Sequence, residues 1–99
     1  MKKFTELRDI INNQIKGTRD NFVAINTNTS TSLNIGIVDY DNTDMLCILP
    51  CNLDDYSELD YYYFTELLGQ DLSSEESLNI IYNKYTEFYN KYIMMLQTI

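Results

Sequence analysis

Ninety-nine residues with 44% apolar and 13% aromatic side chains are enough for one modest core and too few for a second, so a single domain over residues 1–99 is expected and a disordered acidic tail is excluded. The net charge of −8 repels nucleic acid backbones and anionic membranes, which argues against direct DNA, RNA or lipid binding. The natural complement is a basic protein surface.

From the amino terminus, Phe4, Leu7, Ile11 and Ile15 recur at helical spacing and predict a core-covering helix closed by Gly17. Met1-Lys2-Lys3 leads into Thr5-Glu6 and not into a hydrophobic signal core, and no apolar run approaches the length of about twenty residues that spans a membrane. An intracellular, soluble protein is the expectation. Phe22 to Ile25 reads as a short strand, and Thr27 to Ser32 as a turn of Thr, Asn and Ser. Leu33, Ile35 and Ile37 alternate with Asn34 and Gly36 as a second strand, Asp39 to Asp44 has turn chemistry, and Met45 to Leu49 is a third apolar run. These predict a three-stranded antiparallel meander that Pro50, with no amide proton, brings to an end.

Leu53-Asp54-Asp55 reads as a helix entry, with Asp55 and Glu58 as a capping box, Tyr56, Leu59, Tyr63 and Leu67 as the buried stripe and Gly69 as the stop. A second box, Ser73 with Glu76, opens a last helix whose wide apolar face comprises Leu78, Tyr82, Tyr85, Tyr89, Tyr92 and Leu96, flanked by Ile81, Phe88 and Met95. The expected fold class is α+β: helix, three-stranded antiparallel sheet, two helices, in a single domain.

The chemistry of an enzyme is missing. There is no histidine, the usual general base, metal ligand and triad orienter. Cys47 and Cys51 lack the further ligands of a zinc site and read as reduced, packed thiols. Asp39, Asp41 and Asp44 lack the glycine and the bidentate glutamate of a calcium loop. No catalytic residue, metal or cofactor is expected.

What the chain does have is segregated charge. From Asp20 to Asn83 it carries twelve of its fifteen carboxylates and no Lys or Arg. They fall into three clusters: the turn Asp39, Tyr40, Asp41, Asn42 and Asp44; Asp54, Asp55, Glu58 and Asp60, with Tyr62 and Glu66 continuing along the expected second helix; and Glu75 with Glu76. Helical carboxylates four apart, such as Asp54 and Glu58, stand about 6 Å from each other, close to the spacing of successive phosphates. On one side of the domain the three clusters would imitate a phosphate backbone. Capping and turn geometry account for Asp54, Asp55, Glu75 and Glu76 as local structure, but solubility alone does not require excluding the other sign over so long a stretch. Tyr40, Tyr61 and Tyr62 lie off the expected buried stripes and are candidate interface anchors.

The element order, the Asp39 to Asp44 turn, the tetrapeptide Glu87-Phe88-Tyr89-Asn90 and the ending Gln97-Thr98-Ile99 together resemble the small acidic phage-borne anti-CRISPR proteins that inhibit the type II effector nuclease. The resemblance implies a non-enzymatic DNA mimic in a bacterial host's cytoplasm. Its partner would be the guide-RNA-loaded nuclease, blocked at the basic cleft that reads the short DNA motif beside the target. Asp41, Asn42 and Asp44 carry over by position, and Asp54, Asp55, Glu58 and Asp60 would supply the acidic cluster. Two other classes remain open: an acidic immunity protein or antitoxin seated in a toxin nuclease, and a homo-oligomerising module built on the last helix.

Overall fold

The computed structural model describes residues 1–94. Its centre is a long hairpin. Strands β2 (Thr31–Tyr40) and β3 (Thr43–Asn52) pair in register from Tyr40 against Thr43 to Thr31 against Asn52. Asp41 and Asn42 close it with φ of 50° and 64°, the two left-handed residues of a type I′ turn whose twist matches the strands. The Asp39 carboxylate accepts the Asn42 N–H at 2.9 Å. This register turns Leu33, Ile35, Ile37, Leu46 and Ile48 to one face, where all are buried, as the alternation in the sequence predicts.

Two more strands flank the hairpin, β1 (Val23–Thr27) beside β2 and β4 (Tyr62–Tyr63) beside β3, giving an antiparallel sheet in the order β1-β2-β3-β4. The expected three-stranded sheet is thus corrected to four strands, within the expected α+β class. Nor does Pro50 end the sheet: it lies inside β3, opposite Leu33. Counting from the Tyr40–Thr43 pair, Leu33 and Pro50 form a non-hydrogen-bonded pair, so the missing N–H faces away from β2. On that side the Pro50 carbonyl still accepts Leu59 N–H at 2.8 Å.

The predicted helix over Asp54 to Leu67 does not form. Turns and an extended run through β4 occupy it, followed by one 3₁₀ turn, Thr65–Leu67. Tyr56, Leu59 and Tyr63, assigned to a buried stripe, are exposed, and only Leu67 is buried. Two local signals defeat the helical spacing. Asn52 and Asp55 spend their side chains on the backbone two residues ahead, at Asp54 N–H and Ser57 N–H, and Tyr61-Tyr62-Tyr63-Phe64 is a run of strand formers that pairs with β3.

Helix α1 (Phe4–Ile10) runs on with wider π-helical turns through Ile11–Ile15, burying Leu7, Ile11 and Ile15 before Gly17 turns the chain at φ 80°. Helix α2 (Glu75–Phe88) continues likewise through Tyr89–Ile93. Its cap is Ser74, whose hydroxyl accepts Ser77 N–H at 3.2 Å, one residue beyond the expected Ser73. Ser73 is otherwise engaged: its hydroxyl donates to Asn12 and accepts from Lys16. Leu78, Ile81, Tyr85 and Phe88 join the core, with Tyr82, Tyr89 and Tyr92 packed around it. Met95 and Leu96 of the predicted stripe lie outside the described residues. The Tyr85 hydroxyl, buried, takes the Lys2 N–H at 2.7 Å and donates to Asn26, and burial pushes its pKa up to about 12.

Both helices cover the same face of the sheet. The opposite face carries Asn34, Gly36, Val38, Cys47 and Leu49, and the Phe22 ring lies so close over Gly36 that a Cβ there would stand 2.6 Å from a ring carbon. Both thiols are free, and burial pushes that of Cys47 up to about 12. Among the described residues no helix is long and apolar enough to cross a membrane.

Candidate partner-binding surface

The acidic clusters lie at two ends of the sheet. At ten residues and about 3.4 Å each, β3 separates the Asp41-Asn42 turn from Asp54 by roughly 30 Å. The sequence leaves open whether the three clusters share one side; the fold sets them at two ends.

At the hairpin end the cations missing from the acidic stretch arrive from the amino-terminal segment. After Gly17 the chain runs along β2, with Asp20 in left-handed geometry (φ 61°) and its N–H on the Ile37 carbonyl at 2.7 Å. This carries Arg19 to the turn, where Nε lies 2.6 Å from Asp44 and Nη1 3.3 Å from Asp39. Lys16 sits 3.7 Å from Asp71. Surface pairs of this kind are screened and stabilise little, but they cancel field. Of the predicted turn residues, Asp39 and Asp44 are engaged with Arg19, Tyr40 is exposed, and Asp41 and Asn42 form the turn itself. Glu75 and Glu76 start α2 just past Asp71 and Ser73, which Lys16 touches, and so belong to this end.

At the far end, residues 52–61 form a braced loop. Tyr56 N–H reaches the Asn52 carbonyl and Asn52 N–H the Ser57 carbonyl, both at 2.8 Å, while Leu53 N–H ties the loop to Ser30 at 2.9 Å. The Asp55 carboxylate accepts both the hydroxyl and the N–H of Ser57, at 2.7 and 3.0 Å, which hold its pKa below the usual range. Asp60 accepts the Tyr92 hydroxyl and the Tyr61 N–H. Those bonds, with Lys91 at 3.8 Å, lower its pKa too. Asp54 and Glu58 are different: both are exposed, and among the described residues neither side chain has a hydrogen bond or ion pair. Among the described residues Lys91 is the one cation paired with this cluster.

Between these carboxylates the loop displays Tyr56, Leu59 and Tyr61, which are 77%, 44% and 58% exposed. Tyr56 is also held at φ 60°, a region that costs a residue with a Cβ roughly 1–2 kcal/mol. Exposed aromatics amid uncommitted charge on a pre-ordered loop are the make-up of a protein-binding patch. Sequence reasoning singled out Tyr61 but assigned Tyr56 and Leu59 to the core. The available signal was Asn52-Leu53-Asp54 and Asp55-Tyr56-Ser57, turn chemistry that competes with capping.

Tyr62 and Glu66, expected on one stripe of a second helix, meet instead through a strand and a 3₁₀ turn. The Tyr62 hydroxyl donates to Glu66 at 2.7 Å, which raises its pKa. The α2 face that suggested self-association is spent in the core. Among the described residues no three potential ligands gather as a metal site. No protein-family model matches the chain, and comparison with curated proteins and with solved structures returns no match. Function must be read from the surface itself.

Replacing Tyr56 by Gly removes the left-handed penalty and almost no packing, so Tyr56→Gly should raise unfolding stability in urea by roughly 0.5–1 kcal/mol; a destabilised variant would show that the ring is structural. Asp60 gives a pH signature. Its folded pKa is depressed, so its contribution is present above the unfolded value near 3.9 and is lost as pH falls through the folded value. Asp60→Asn should cost about 1 kcal/mol at pH 7, discounted for partial solvation, and the gap to the parent protein should narrow as pH falls below the unfolded value. A gap independent of pH would contradict the assignment.

Proposed function

We propose that this chain is a non-enzymatic inhibitor that binds a basic nucleic-acid-binding cleft of another protein through the loop of residues 52–61. Its favoured target is the cleft by which a guide-loaded type II CRISPR nuclease reads DNA. The observation that carries the reading is the make-up of the loop: among the described residues Asp54 and Glu58 stand without partners, beside exposed Tyr56, Leu59 and Tyr61, whereas at the hairpin end Arg19 and Lys16 engage Asp39, Asp44 and Asp71. Arginines that read base edges and phosphates are satisfied equally by carboxylates, and the aromatic side chains supply contact area at small entropic cost. Occupation of the cleft excludes DNA without any chemical step.

The test is whether the protein prevents a guide-loaded type II nuclease from binding its target duplex. Inhibition should weaken as salt rises. Asp54→Lys with Glu58→Lys should weaken it by about tenfold or more, the cost of opposing rather than matching the cleft's charge, with unchanged thermal stability, since neither side chain is used in the fold. Asp41→Lys in the hairpin turn should have the smaller effect. Undiminished inhibition by a folded Asp54→Lys, Glu58→Lys variant would remove the loop from the interface. Indifference of such nucleases to the parent protein would contradict the proposed target.

A further inference from the structure

A second recognition element lies on the flank of the domain, between β4 and α2. There Tyr62, Phe64, Glu66, Ile80, Lys84 and Glu87 line a groove of about 270 Å³. Its floor is aromatic, with Tyr62 and Phe64 edge to face at 5.0 Å, and Ile80 is exposed at its rim. The groove already holds a cation. Lys84 Nζ sits 4.3 Å from the centre of the Tyr62 ring and 2.7 Å from Glu87. Glu66 is bonded to the Tyr62 hydroxyl and has no ion pair among the described residues, so two carboxylates face one ammonium across an aromatic surface.

We infer that this groove is a seat for an arginine side chain of a protein partner, with Lys84 as its intramolecular occupant at rest. An aromatic face flanked by carboxylates attracts a cation through the ring quadrupole and through charge-assisted hydrogen bonds. Arginine suits it better than lysine: the guanidinium is planar, stacks on a ring, is weakly hydrated and has N–H groups enough for Glu66 and Glu87 together. An incoming guanidinium takes the Tyr62 face and the Glu87 carboxylate, and Lys84, whose side chain is 25% exposed at rest, gives up both contacts and swings its ammonium into water. The seat is separate from the loop of residues 52–61 and is independent of the identity of the partner.

The experiment titrates N-acetyl-arginine amide into the full chain and follows side-chain and backbone NMR shifts. N-acetyl-lysine amide and the neutral isostere N-acetyl-citrulline amide serve as comparison probes. Saturable shifts centred on Tyr62, Ile80 and Glu87 are expected with the arginine probe and none with citrulline. Lys84→Met keeps the stem and removes the competing ammonium, and should tighten arginine binding about three- to fivefold, the size of an exposed cation–π contact. Lys16→Met removes a positive charge at the hairpin end and should not. Glu87→Gln should weaken binding. Arginine shifts spread over all exposed carboxylates, equal tightening by Lys84→Met and Lys16→Met, or equal binding of the lysine probe would overturn the assignment.

Discussion

The two-residue turn at Asp41 and Asn42 is the constraint on which the rest depends. Because both residues adopt left-handed geometry, Tyr40 must face Thr43, and every later pair of the hairpin follows. A slip of one residue would turn Leu46 and Ile48 away from the helices and set polar side chains against the core. The same register directs the missing N–H of Pro50 away from β2. That choice lets β3 continue to Asn52 and carry the next loop to the far end of the domain. The position of the proposed binding surface is thus a consequence of a turn roughly 30 Å away.

The second organising effect is the return of cations to an acidic stretch that has none of its own. Arg19, Lys16 and Lys91 come from the two ends of the chain, and each contacts a carboxylate of that stretch: Asp44, Asp71 and Asp60 respectively. Charge that is segregated in sequence is partly mixed in space. What is left is acidic at both ends: among the described residues Asp41 in the hairpin turn, and Asp54 and Glu58 in the far loop, have no ion pair. A partner's arginines are attracted to uncancelled charge, and the exposed tyrosines beside it convert approach into contact.

Much of this was legible in the residues. Alternation at Leu33, Ile35 and Ile37 located β2, the Asp39 to Asp44 segment located the turn, and the i, i+4 spacing of Leu7, Ile11 and Ile15 located α1. The failures share a cause. Tyr56, Leu59, Tyr63 and Leu67 satisfy helical spacing, but spacing says nothing of Asn52 and Asp55 capturing the backbone, or of β3 offering an edge to Tyr62 and Tyr63. Likewise Pro50 is excluded from a strand only if its nitrogen points at a neighbour, which depends on register. The pairing of Arg19 with Asp39 and Asp44 joins residues twenty and more apart in sequence through the path of the chain along β2, and no local pattern encodes it.

The central claim is that residues 52–61, and not the hairpin turn, make the contact. Its most direct test is hydrogen exchange of the chain alone and bound to a guide-loaded type II nuclease that it inhibits. The account predicts added protection across residues 52–61 with little change at Asp41 and Asn42. Protection concentrated on the Asp41-Asn42 turn, with the loop of residues 52–61 exchanging as in the free protein, would contradict it.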